Sequence, residues 1–346
     1  MKMDAIIKPA PQHGLELVRK EVPTISEGEA LVKVRYSAIC GTDVHIYEWN
    51  QWAQDTIKAP MTIGHEFVGE IVEIKDNQNS SFKVGDLVSA EGHVVCGKCR
   101  NCLADAKHLC PHTSGIGVNR DGIFAEYARI PISNLWKCDK DIPEKMYAIF
   151  DPFGNATHTA LKFNTVGEDV LITGAGPIGI MAAAICKHVG ANNVVLTDIS
   201  DYRLDLAKQV CPEVIAVNTR NIRISEIQKQ LGMTDGFGVG LEMSGSSIAF
   251  NEMLDNMLMG GKVAMLGLQG ANTTINWNKF IFSMITLQGI YGREIFGTWH
   301  KMTEMLKNGL DISKIITGEY NYRDFEKGFA DMMSGKSGKI ILDWTK

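Results

Sequence analysis

Gly174-Ala-Gly-Pro-Ile-Gly179 limits what this chain can fold into more than any other stretch. A buried-strand signature, Asp-Val-Leu-Ile-Thr at 169–173, runs straight into it, and residues 180–189 follow with helical apolar spacing. A second strand at 194–197 ends on Asp198, 19 residues after the last glycine. The bare G-x-G-x-x-G spacing is common, but between a strand and a helix, with an acid at that distance, it defines a dinucleotide-binding turn. Gly174 permits the tight turn, Gly176 lets backbone approach a pyrophosphate, and Gly179 lets the helix lie close to the strand. Free N–H groups at the helix start favour phosphate. Asp198 is placed to accept hydrogen bonds from the adenosine ribose and to repel a 2′-phosphate, which favours NAD over NADP. Arg203, five residues on, reads equally as an adenine or ribose contact and as a solvated helix charge.

The alternation continues. Strands are expected at 214–217, 238–243, 262–268 and 286–291, with helices at 222–231 and 248–259. Six strands with crossovers predict a doubly wound α/β sheet. Ligands bind beyond the carboxyl ends of such strands, which puts residues 266–268 and 290–291 toward the nicotinamide end.

A chain of 346 residues is too long for one ordinary core, and its first third reads differently. Alternating segments at 15–22, 31–37, 66–74, 125–131 and 135–138, punctuated by Gly and Pro, predict short strands of a partly closed barrel or sandwich. Residues 44–55 read as helix or loop. The tail shows a helix at 299–307, a strand at 315–320, a helix at 322–334 and a strand at 339–342; it is expected to return to the first domain.

Within the β-rich third, Cys96-Gly-Lys-Cys99-Arg-Asn-Cys102 is followed by Cys110. Two C-x₂-C steps and a fourth thiol saturate a tetrahedral zinc and leave no place for substrate, so the implied role is structural. Iron–sulfur ligation uses the same ligand type. A redox C-x-x-C is disfavoured because no thioredoxin-like pattern surrounds it. Upstream, Cys40 and Gly64-His65-Glu66 offer thiol, imidazole and carboxylate, the contents of an open zinc site. Alone, that set reads as well as a buried thiol and a core histidine.

A net charge of −5 with no basic block argues against nucleic acid or an anionic membrane surface. The first residues hold no signal-peptide run and no apolar segment reaches spanning length, so a cytoplasmic location is expected, where clustered thiols stay reduced.

The combination of a Gly-His-Glu β-rich half, a four-cysteine knuckle and a Rossmann half resembles the zinc-dependent medium-chain alcohol dehydrogenases over the whole chain. The stretches ICGTDVHIYEWNQWAQDTI (39–57), GVNRDGIFAEY (117–127), FDPFGNATHTA (150–160), TGAGPIGIMAAA (173–184) and GIYGRE (289–294) resemble the branch that oxidises the β-hydroxyl of L-threonine with NAD to 2-amino-3-ketobutyrate. The resemblance implies a GroES-like catalytic domain at 1–151 and 296–346 and a Rossmann NAD-binding domain at 152–295. It implies two zinc ions per subunit, a catalytic one on Cys40, His65 and Glu66 and a structural one on Cys96, Cys99, Cys102 and Cys110. Whether Glu66 or water completes the first shell stays open. Thr42 and His45 match the family's proton relay. Asp151 matches a position for a relay group or a charge beside the metal, with direct ligation as the alternative. Cofactor contacts carry over to Ile178, Asp198, Arg203, Leu266, Gly267, Leu268, Ile290 and Tyr291, and a homotetramer is expected. For a threonine substrate, Glu91 or Asp151 is a candidate for the ammonium, and His93 or Arg293 for the carboxylate. The competing expectations are a polyol or 2,3-diol dehydrogenase and a non-catalytic nucleotide-binding protein.

Overall fold

A computed structural model describes residues 1–76, 80–270 and 272–346. The chain forms two compact units. Met1–Asp151, Glu294–Trp299 and Ile316–Lys346 make the first, and Pro152–Arg293 with His300–Ile315 make the second. The return to the first unit therefore differs from a single crossing near 295. Residues 300–315 group with the second unit because the turn Ser313–Ile315 packs on its helices Pro177–His188 and Asp201–Val210, with Ile315 fully buried.

The first unit is built on one long strand, Glu29–Ile39. It pairs antiparallel with Glu66–Lys75, Tyr127–Pro131 and Lys339–Asp343. Leu87–Ala90 and Leu135–Lys137 extend the sheet on one side and Ile316–Asn321, parallel to Lys339–Asp343, on the other. A three-stranded sheet, Glu16–Glu21, Lys2–Lys8 and Met61–Thr62, lies apart in hydrogen bonding. Strand residues Ile6, Val32, Val34, Phe67 and Ile71 converge with Phe124 and helix residue Phe329 on one core. Each such side chain contributes about 1.5–3 kcal/mol by leaving water. Residues 44–55 resolve into two helices, Gly41–Glu48 and Gln51–Thr56.

The second unit is a six-stranded parallel sheet. Its spatial order is Ile215–Asn218, Val194–Asp198, Val170–Thr173, Phe237–Glu242, Met257–Met265, Thr286–Gly289. That order reverses beside Val170–Thr173, the arrangement of a doubly wound dinucleotide fold. Two local expectations fail. Residues 257–259 are strand rather than helix, because Met257 pairs with Phe237 and sheet pairing overrides methionine's helix preference. The helix Trp277–Phe282 was not anticipated; Asn276 starts it by accepting from the Lys279 N–H. Among the described residues no helix is long and apolar enough to cross a membrane.

Candidate active site

Cys40 leaves the end of the strand Glu29–Ile39 and sits at the N-cap of the helix Gly41–Glu48. Its N–H donates to Asp43 Oδ2 at 2.9 Å, fixing the turn. His65 and Glu66 stand at the head of the adjacent strand, Glu66–Lys75, which pairs with Glu29–Ile39. The approach is possible only with glycine before them. Gly64 has φ +89°, and a Cβ there would lie 2.2 Å from the Phe124 ring. The Cys40, His65 and Glu66 ligand atoms all come within 4.8 Å of one another.

The electrostatics of this cluster fit a divalent cation. Burial opposes charge on His65, yet Cys40, Asp43 and Asp151 outweigh it and hold the imidazole well above its ordinary range. Burial raises the Glu66 carboxyl; the Lys339 ammonium opposes that rise and Asp151 adds to it. His65 Nδ1 and Asp43 Oδ1 are buried without hydrogen-bond partners, 3.8 Å apart, and Glu66 Oε1 is a third such atom. A surplus of buried negative charge with orphaned ligand atoms is what a bound cation relieves. The donor set, one soft, one borderline and one hard, suits zinc. Asp151 lies outside the ligand cluster and acts on His65 and Glu66 through its charge.

The second cluster also fits zinc. Thiol sulfurs of Cys99 and Cys102 are 3.5 Å apart, Cys99 and Cys110 3.9 Å, Cys96 and Cys102 4.0 Å. Tetrahedral zinc with Zn–S of about 2.3 Å requires sulfurs roughly 3.8 Å apart. The Cys96 N–H, and after it that of His112, pulls the Cys110 thiol down to about 6, while burial and hydrogen bonds with Cys99 and Cys110 push Cys102 up to about 12. A divalent ion removes the cost of gathering the four thiolates.

In the second unit the glycine turn is formed as expected. Gly176 caps the helix Pro177–His188, with open space in front of it. A Cβ at Gly179 would meet Gly174 O at 1.9 Å, so only glycine lets the helix start so close to the strand. Asp198 ends its strand; its Oδ2 accepts from the Ala175 N–H at 2.8 Å and Oδ1 from Ile199 and Ser200. Arg203 Nη1 is 3.8 Å from Asp198 Oδ2, so the two expected ribose-side residues are neighbours. Ile178 is in the first helical turn. Leu266, Gly267 and Leu268 follow Met257–Met265, and Ile290 and Tyr291 follow Thr286–Gly289, all beyond carboxyl ends of strands. Leu268 and Tyr291 are exposed.

The remaining expected residues separate. Thr42 is half-buried in the first turn of Gly41–Glu48, and His45 is exposed one turn on. Asn50 Oδ1 accepts from the Ala53 N–H, which turns its amide nitrogen to His45 Nδ1 at 2.9 Å. Glu91 is fully buried and accepts from the His93 N–H, His93 Nδ1 and Trp299 Nε1, so it orients His93. Arg293 is buried, its stem passing over Gly154 and its guanidinium donating to Asn155.

Two residues escaped the sequence reading. Asp43, between Thr42 and His45, is the buried carboxylate facing His65. Lys339 Nζ is 2.7 Å from Glu66 Oε2, an ion pair too skewed for a good hydrogen bond, and donates to Ile39 O. Burial works against the Lys339 charge, and Glu66, Cys40 and Asp43 together more than restore it. Its signal was a lone lysine heading the apolar run Lys-Ile-Ile-Leu.

Residues 26–142 match the family described as alcohol dehydrogenase GroES-like domain, and residues 177–308 match that described as zinc-binding dehydrogenase. The chain belongs to the zinc-dependent medium-chain alcohol dehydrogenase family. It is 55% identical to the L-threonine 3-dehydrogenase of Shewanella frigidimarina, over 99% of this chain and 100% of that one. It is 56% identical to the L-threonine 3-dehydrogenase of Burkholderia thailandensis, over 99% of both. Among solved structures, an Escherichia coli oxidoreductase of unknown specificity superposes with TM-score 0.89 at 27% identity, over 99% of both chains. The 2R,3R-butanediol dehydrogenase of Bacillus subtilis does so with TM-score 0.87 at 24%, over 99% of both, a likeness of fold alone.

Proposed function

We propose that this chain oxidises the β-hydroxyl of L-threonine to 2-amino-3-ketobutyrate with NAD as acceptor. The carrying observation is 55% identity across the full length to enzymes named for that reaction. The metal triad and the glycine turn supply the chemistry such a reaction needs. Zinc on Cys40, His65 and Glu66 would supply Lewis acidity toward the hydroxyl, and NAD on the second unit the two-electron acceptor. The chain's own part is proton handling and orientation. Thr42 passes the hydroxyl proton along a hydrogen-bond chain toward exposed His45, one helical turn on, which exchanges it with water. Asp151 keeps the field around His65 and Glu66 negative. His93, oriented through Nδ1 by Glu91, or Arg293 meets the substrate carboxylate. The buried Asp198 carboxylate disfavours a 2′-phosphate, hence NAD.

The enzyme works in the cytoplasm as a homotetramer. The reduced four-cysteine set supports the first statement. An exposed edge strand, Thr286–Gly289, beside exposed Trp277, Ile281, Phe282 and Met284 supports self-association. The diol reading is not favoured, because the butanediol enzyme shares only the fold. Purified protein with NAD and a panel of threonine, sorbitol and 2,3-butanediol tests the substrate. Threonine should give the highest kcat/KM; a diol or polyol that outruns it overturns the reading.

A further inference from the structure

Glu242 ends the strand Phe237–Glu242, in register with Thr173 on one side and Met265 on the other. Its side chain is fully buried, and among the described residues no cation pairs with it. Dipoles from a neighbouring strand end and from two loops hold it instead. Oε1 accepts from Thr173 Oγ1 at 3.3 Å, the Ser244 N–H at 2.9 Å, the Ser244 hydroxyl and the Gly245 N–H at 3.1 Å. Oε2 accepts from Gln269 Nε2 at 3.0 Å. The Glu242 carbonyl accepts from the Leu266 and Gly267 N–H groups at 2.9 and 3.0 Å.

These contacts gather Thr173, which leads into the glycine turn, the Ser244–Gly245 bend and the 266–269 loop at one point. Backbone fills the space between them. A Cβ at Gly174 would lie 2.8 Å from Ser244 Cα, one at Gly245 2.7 Å from Leu268 O, and one at Gly267 2.4 Å from Glu242 Oε2. All three loops lie beyond carboxyl ends of central strands, where a dinucleotide lies in this fold. A further atom is uncommitted: Gln269 Oε1 is buried with no partner.

We propose that Glu242 is a positioning residue for the dinucleotide: one buried carboxylate sets the spacing of the three loops against which the cofactor lies. This rests on the NAD reading of the second unit. Removing the carboxylate releases Ser244, Gly245 and Gln269 from Thr173 while the backbone bonds of Leu266 and Gly267 remain, so affinity for the dinucleotide falls even where the fold survives.

The test uses the full zinc-loaded chain with NADH as probe, measuring its Kd by energy transfer from protein tryptophan, with thermal unfolding in parallel. Glu242→Ala should weaken NADH by about tenfold to a hundredfold, the scale of a displacement of about 1 Å in a binding group. Glu242→Gln should stay within about threefold, because its Oε1 keeps the Thr173, Ser244 and Gly245 contacts and its amide nitrogen finds Gln269 Oε1 once that amide turns over. Gln269→Leu, at a half-buried position, should fold and weaken NADH by about tenfold through loss of one charge-assisted bond. If Glu242→Ala does not fold, the Gln269→Leu and Glu242→Gln pair decides alone. Variants that unfold at lower temperature but bind NADH like wild type overturn the proposal, as does a Glu242→Gln protein as weak as Glu242→Ala. Wild-type protein that does not bind NADH overturns the dinucleotide reading itself.

Discussion

Replacing Lys339 with Met leaves Glu66 as a buried carboxylate without its cation. At 2.7 Å the pair is attracted by about 6 kcal/mol at an effective dielectric of 20, and breaking such a buried pair from one side costs about 3–5 kcal/mol net. For a unit of roughly 190 residues this lowers the unfolding midpoint by about 8–13 °C. Zinc on the triad changes the balance, since the metal satisfies the charge that Lys339 no longer meets. Lys339→Met should therefore be strongly destabilised after mild chelation of the catalytic metal, recover most of the loss when zinc is restored, and bind zinc more tightly by the corresponding linkage. Urea unfolding with and without zinc, beside competition with a chromophoric chelator, measures both sides. A loss of stability equal in the two states, or a weaker affinity for zinc, would refute the reasoning.

His45→Gln should cut turnover by at least about tenfold, short of the 10²–10⁴ of direct proton transfer, while metal analysis still counts two zinc ions per chain. Unchanged turnover across pH removes His45 from the relay. Cys102→Ser should leave one zinc per chain and open residues 96–113 to protease; retention of both ions would show that three thiolates suffice. The Tyr322 hydroxyl, with Arg19 and Arg323, holds the Asp4 carboxyl below its ordinary range despite burial. That contribution is fully present above an unfolded value of about 3.9 and is lost as pH falls through the folded one. Asp4→Asn should flatten the acid side of the stability–pH curve, and an unaltered slope below pH 4 counts against it.

Local signals carried much of this architecture. Val170–Thr173, the glycine turn and Asp198 are contiguous in kind, each residue type demanded by the turn it makes, so strand, turn and acid could be read together. The four cysteines were legible because ligand spacing is itself the geometry. What escaped depends on distant partners. Lys339 looks like a strand residue until Lys339–Asp343 pairs with Glu29–Ile39 and carries it to Glu66. Asp43 hid beside two residues of the expected relay, since only the tertiary fold turns it to His65. Phe150–Ala160 was invisible to helical propensity because Pro152 and Gly154 interrupt it, although proline is tolerated in a first turn. Glu242 reads as an ordinary strand end; its role lies in three loops that sequence does not juxtapose.

The strand Lys339–Asp343 lies inside the first unit's sheet, bonded to Glu29–Ile39 on one side and Ile316–Asn321 on the other. During synthesis the strands at 170–289 leave the ribosome well before it, so the second unit can fold while the first still waits for its missing partner. Until that late segment docks, Ile39 has a bare edge and Glu66 has no ammonium, and the nascent polypeptide is exposed to chaperones and proteases through that gap.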